Sequence, residues 1–153
     1  MRYLHTMVRV QSLERSLEFY VDGLGLEVVR RTEHEAGRFT LLFLAAPRDR
    51  RSAPEQHRGG SEVAVPMLEL TYNWDPETYI GGRNFGHIAY ETDDIYALCA
   101  RLQEQKIPIL RPPRDGRMAF IRSPDAISIE LLQAGASLPP SEPWLSMPNQ
   151  GSW

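Results

Sequence analysis

The sequence predicts an α+β fold: two tandem βαβββ modules that together make a curved, barrel-like sheet. Three observations carry this expectation. A strand pattern leading into a capped amphipathic helix occurs twice, about half a chain apart. Each helix is followed by several short strand patterns in a row, and not by the strict strand–helix alternation of a doubly wound sheet. The chain has 153 residues, enough for one ordinary domain or two small fused halves.

The first module opens with His5-Thr6-Met7-Val8-Arg9-Val10, which alternates polar and apolar residues as a half-buried strand does. Ser12 then stands as an N-cap before a helix whose apolar face is Leu13, Leu17, Tyr20, Val21 and Leu24, ending at Gly23-Leu24-Gly25. Strand patterns follow at 27–32, 39–45 and 63–72. The second module repeats the plan. His87-Ile88-Ala89-Tyr90-Glu91-Thr92 leads to the cap residue Asp94 and a helix with Ile95, Leu98, Cys99 and Leu102 on one face. Strand patterns at 109–111, 118–122 and 127–133 come next, punctuated by Pro108, Pro112-Pro113, Asp115-Gly116 and Ser123-Pro124-Asp125. The modules span about 1–80 and 83–133, with a tail at 134–153. The segment 46–62, rich in Arg, Pro and Gly, reads as a solvated, mobile loop. The tail has four prolines and one charge but also Trp144, Met147 and Trp153, so we expect it to be extended and docked.

Composition narrows the function classes. Lys plus Arg number 17 and Asp plus Glu 20, a formal charge of −3, which lacks the basic excess of a nucleic-acid binder. No apolar run approaches the roughly 18–20 residues of a membrane span. The opening segment goes straight into a strand pattern containing Arg2, His5 and Arg9, where a secretory leader needs a continuous apolar stretch. Cys99 is the single cysteine, so no intrachain disulfide exists. A reduced, cytoplasmic protein is expected.

Strand periodicity decides which polar side chains point together. Each module offers one histidine on its first strand (His5, His87) and one carboxylate between apolar neighbours on its last (Glu69 in Leu68-Glu69-Leu70, Glu130 in Ile129-Glu130-Leu131). Taken singly, a histidine at a strand start is more often a surface group than a ligand, and such a glutamate usually faces water. The duplication is what raises the set. Two His and two Glu make an N₂O₂ donor group suited to a first-row divalent ion. His34 and His57 sit in turn or loop sequence without that context, and Cys99 lies on an apolar helix face as inert core.

These residues stand in four blocks, LHTMVRV…LERSLEFYVDGLGLEVV, LELTYNW, FGHIA and SPDAISIELL. In order and spacing they resemble glyoxalase I, lactoylglutathione lyase, of the vicinal oxygen chelate superfamily, over roughly residues 1–133. The resemblance implies a homodimer with metal sites shared across the subunit interface, one divalent ion (Ni²⁺, Co²⁺ or Zn²⁺) per site, and His5, Glu69, His87 and Glu130 as ligands. It implies isomerisation of the methylglyoxal–glutathione hemithioacetal to S-D-lactoylglutathione by proton transfer through an enediolate, with Glu130 as the base. The residues alone do not tell the two glutamates apart. Asn73 and Arg83 match positions that hold glutathione in the family, and Arg117 is a looser match. Arg9, about 13 Å from His5 along one strand face at about 3.3 Å per residue, suits a grip on the far end of a tripeptide.

There are departures from the family pattern. Ala126 stands where relatives commonly carry glycine after Pro-Asp, so that turn is expected to differ or to be strained. The 46–62 loop and the tail are additions that leave the thiol open. The rival readings are another vicinal oxygen chelate enzyme, such as a dioxygenase or epimerase, and a small-molecule-binding resistance module. Ring-cleaving dioxygenases use two His and one carboxylate, and the binding modules usually lack the ligand set.

Overall fold

The computed structural model describes residues 3–52, 65–82 and 84–153. The chain divides into two compact units, Met1–Tyr79 and Ile80–Trp153. Its elements are mixed α and β, as expected.

In the first unit, β1 (His5–Arg9) leads to α1 (Leu13–Leu17). The Ser12 side chain caps α1 by accepting the Arg15 amide. The helix then widens into a π-helical turn, Glu18–Gly23, and reverses at Gly25, whose φ of 79° lies in the left-handed region open to glycine. β2 (Glu27–His34), β3 (Phe39–Ala45) and β4 (Met67–Asn73) complete a four-stranded sheet in the order β1-β4-β3-β2. β1 runs parallel to β4, and the other pairs are antiparallel. Alternation separates the two faces of this sheet. Val8, Leu68, Leu70, Leu42 and Leu44 are buried on one, and Phe19 and Tyr20 of the helical segment are buried as well. His5, Met7, Arg9, Glu69, Asn73 and Phe43 lie on the other.

One expectation is corrected here. The start of the 46–62 segment is a short helix, α2 (Pro47–Ser52), and not a loop. Pro47 supplies a preset φ at the first position, Asp49 sits in the first turn and Arg50 and Arg51 in the last, which suits the helix dipole. Arg50 Nη1 also donates to Glu27 Oε2 at 2.7 Å. The rest of that segment, His57 included, lies outside the described residues, as do positions 63–64 of the 63–72 strand expectation.

The second unit follows the same order. β5 (Ile88–Thr92) precedes α3 (Ile95–Glu104), which Asp94 caps by accepting the Ala97 amide at 2.9 Å. β6 (Met118–Arg122) and β7 (Ser128–Gln133) finish a three-stranded sheet ordered β5-β7-β6. The expected strand at 109–111 is reduced to one bridge, Arg111 against Phe120. Pro108, Pro112 and Pro113 flank it, and proline has no amide hydrogen to extend a ladder. The core consists of Ile95, Cys99 and Leu102 from the helix with Ala119, Ile121, Ile129 and Leu131 from the sheet.

The tail is docked on this second unit. Trp144 is 4% exposed, and its ring stacks parallel to Tyr96 at 6.4 Å. Leu138 N donates to Gly116 O at 3.0 Å, Gln150 N to Leu110 O at 2.8 Å, and Arg114 reaches the Met147 carbonyl and the Asn149 side chain at 2.7 Å each. Among the described residues no helix is long and apolar enough to cross a membrane.

Candidate metal centre

Each unit assembles the same small cluster. In the first, the parallel register sets Met7 beside Glu69, so His5 lies two residues back along the same face. Glu69 in turn faces Phe43 on β3. His5 Nε2 then sits 3.0 Å from Glu69 Oε2, and its ring meets Phe43 edge to face at 5.6 Å and 81°. In the second unit Ala89 pairs with Glu130, and Glu130 faces Phe120. His87 Nε2 is 3.1 Å from Glu130 Oε2, and its ring meets Phe120 at 5.5 Å and 81°. The two constellations agree within 0.1 Å in each of these distances.

Exposure is also repeated. The carboxylates are sunk, Glu69 at 12% and Glu130 at 15%, while the imidazoles are open at 39% and 43%. The phenyl rings fix the tilt of the imidazoles, so each histidine presents Nε2 towards its carboxylate without a second polar partner having to orient it. Among the described residues no three His, Cys, Asp or Glu groups gather in one place. Each cluster thus brings together one imidazole and one carboxylate as potential donors.

The spacing within a pair is that of a direct His–Glu contact, and it also matches two ligands of a shared first-row ion. With bonds of about 2.1 Å, two ligands at neighbouring octahedral corners stand about 3.0 Å apart and two at tetrahedral corners about 3.4 Å. The observed 3.0 and 3.1 Å match the first. One imidazole nitrogen and one carboxylate oxygen form a borderline donor set that suits Ni²⁺, Co²⁺ and Zn²⁺ alike.

Of the expected substrate-binding residues, Arg9 and Asn73 share the face of His5 and Glu69, towards its far end. Asn73 Nδ2 donates to Glu77 Oε2 at 2.8 Å and to Tyr79 Oη at 3.2 Å. Burial and the Glu77 carboxylate push the Tyr79 phenol above its ordinary range, and Arg9 is close enough to pull it the other way. Arg83 lies outside the described residues. Arg117 is engaged by main-chain carbonyls, with Nη1 donating to those of Gln133 (3.1 Å) and Gly135, which clips the start of the tail. Cys99 is fully buried, with its thiol pushed up to about 12 by burial, as inert core requires.

The sequence reading missed the aromatic partners Phe43 and Phe120, as well as Arg30, whose guanidinium lies 4.1 Å over the Phe43 ring. It also missed Trp153, which the tail carries back to stack on Phe120 at 6.3 Å. The residues opposite each glutamate become candidates only once strand register is known.

Residues 2–131 match the Glyoxalase/Bleomycin resistance protein/Dioxygenase superfamily, and the chain belongs to it. Within the superfamily it falls among enzymes of the glyoxalase I kind. It is 41% identical over 138 residues to a lactoylglutathione lyase of Neisseria meningitidis, covering 87% of this chain and 91% of that one. A probable lactoylglutathione lyase of Synechocystis is 35% identical, with 87% and 95% covered. Among solved structures, the trypanothione-dependent glyoxalase I of Leishmania major is similar at a TM-score of 0.73 and 36% identity, with 87% and 86% covered. Membership in this family implies a divalent metal cofactor.

Proposed function

We propose that the chain is a metal-dependent lactoylglutathione lyase that converts the hemithioacetal of methylglyoxal and glutathione to S-D-lactoylglutathione in the cytoplasm. The observation that carries this reading is the duplicated His–Glu–Phe constellation, one copy per unit, at two-donor spacing. His5, Glu69, His87 and Glu130 are the metal ligands. Each pair is half of a four-ligand site, completed by the complementary pair of a second copy in a homodimer. A divalent ion held there supplies Lewis acidity for the substrate oxygens.

The chain's own residues do the rest. Glu130 takes the proton from the carbon bearing the hydroxyl and sulfur, and returns it to the neighbouring carbonyl carbon. Its 15% exposure leaves it reachable from the site face yet largely shielded from water. Glu69 stays a ligand. Arg9 and Asn73, with Arg83 and Arg117, grip the carboxylates and amides of glutathione. Arg117 must first leave the carbonyls it holds.

The deciding experiment supplies metal-free protein in turn with Ni²⁺, Co²⁺, Zn²⁺ and Mg²⁺ and follows thioester formation. Turnover that returns with a first-row ion and is lost by about 10²–10⁴-fold in Glu130→Gln, with metal still bound, supports the assignment. Metal binding without turnover would redirect the reading to another thiol or another reaction of the superfamily. Protein that binds no metal would overturn it.

A further inference from the structure

On the site face of the second sheet, Arg122 and Ser128 are opposite one another across β6 and β7, one alternation along from Phe120 and Glu130. Carrying the parallel register of β5 and β7 back by one residue places His87 beside Ser128. Ser128 thus stands between His87 and Arg122, next to the candidate base. Ser128 is 7% exposed, and its Oγ is buried without a hydrogen-bond partner. Arg122 Nε is buried and unpartnered as well. Buried donors are almost always satisfied, because leaving one unmade forfeits its hydration with nothing in return. Two such donors side by side, one of them cationic, form a site that lacks its acceptor.

The missing acceptor is an anionic oxygen. A guanidinium edge with a neighbouring hydroxyl matches a carboxylate, which can take one hydrogen bond from each. Position says which part of a substrate brings it. Arg9 is four residues from His5 along β1, roughly 13 Å, and suits the end of a long thiol. Ser128 is only two residues from Glu130, roughly 7 Å, so its acceptor sits a few bonds from the reacting carbons. That is the aldehyde-derived half.

Resting on the lyase reading above, we infer that Arg122 and Ser128 form a carboxylate subsite that adapts this enzyme to 2-oxoaldehydes with an acidic substituent. The phenyl ring of Phe120 and the indole of Trp153 over it make the adjoining wall apolar, which strengthens a charged contact made beside it.

The test compares kcat/KM for the glutathione hemithioacetals of 4,5-dioxopentanoate, whose carboxylate is three bonds from the keto carbon, and of its methyl ester. In the native metal-loaded enzyme the acid should be preferred at least tenfold, and in Arg122→Met the acid-to-ester ratio should fall to near one. Ser128→Ala, a smaller change, should lower the ratio several-fold. Using a ratio cancels any general damage done by a substitution. Acid and ester used equally well by the native enzyme, or a ratio unmoved by Arg122→Met, would overturn the subsite. A preference that follows the glycine carboxylate of glutathione, seen by substituting glutathione monoethyl ester as the thiol, would assign the contact to the thiol half and equally overturn it. If the native protein turns over none of these adducts, the lyase reading fails by itself. Calorimetric titration with glutarate then decides the subsite: Arg122-dependent heat supports it, and none refutes it.

Discussion

Ala126→Gly should make the protein more stable. Ser123, Pro124, Asp125 and Ala126 close the β6–β7 hairpin: Ala126 N donates to Ser123 O at 3.0 Å, and Ser123 N to Ile127 O at 2.9 Å. Pro124 suits the second position of such a turn, and the chain then needs one left-handed residue to re-enter the ladder. That residue is Ala126, with φ of 63°. For an L-residue with a Cβ this conformation costs roughly 1–2 kcal/mol, whereas glycine adopts it freely. Glycine also gives the unfolded chain more freedom to lose, which returns roughly 0.4–1 kcal/mol of the gain. Ala126 is exposed, so losing its methyl group forfeits little burial. The net expectation is about 0.5–1 kcal/mol of added stability, or a rise in Tm of about 1–4 °C for a chain of this size. Calorimetric melting of both proteins, with turnover measured alongside, checks it. An unchanged or lowered Tm would mean that the turn relaxes around alanine without strain, and would refute the argument from backbone conformation.

Gly116→Ala should act in the opposite sense, because a Cβ there would lie 2.0 Å from the Leu138 carbonyl oxygen at a φ of 63°. We expect a loss of about 2–4 kcal/mol and a changed tryptophan emission as the tail shifts; a Tm within one degree of native would contradict this. Asp115 gives an acid-side test. Burial pushes its carboxyl up, but the amides of Arg117 and Met118 together with Arg111 outweigh that and hold it below the ordinary value of 3.8. The unfolded chain therefore takes up the proton first, so the stabilisation is complete above that value and is lost as pH falls through the folded one. Urea midpoints at pH 5 and pH 3 should converge in Asp115→Asn relative to the native protein, and an equal acid-side drop in both would remove Asp115 from the account. Cys99, with its thiol at about 12, should give no reaction with a thiol reagent at pH 8 until the chain is unfolded.

The parts of the fold legible in the sequence were those governed by local rules. Ser12 and Asp94 mark their helices because a short polar side chain is what an open helix end needs. The strands at Phe39–Ala45 and Met118–Arg122 stand where their β-branched and aromatic residues cluster. The α2 helix was missed because it buries nothing and so leaves no periodic apolar trace. The 109–111 segment has strand-like residues, but its prolines limit what pairing can follow. The His–Glu pairs could be found because the same residues recur at matching points of two modules. The phenylalanines beside them, the open donors of Arg122 and Ser128, and the return of Trp153 depend on register between strands and on a tail with no regular structure. No local pattern encodes these.

The way the tail is laid down also bears on solubility. β6 is the outer strand of its sheet, and past Phe120 only one bridge continues the ladder. An unprotected edge of this kind is a template for pairing with another molecule. The 109–111 segment between its prolines lies along that margin, with Leu110 and Arg111 bonded to Phe120, and the tail straps over that segment at Leu110 and Gly116, while Trp144 closes over Tyr96 of α3. Removing residues 136–153 would bare the apolar surface under Trp144 and leave the 109–111 segment as the cover of that edge, so we expect the shortened chain to aggregate more readily while it is being made. In that sense the tail is expected to protect the protein against aggregation.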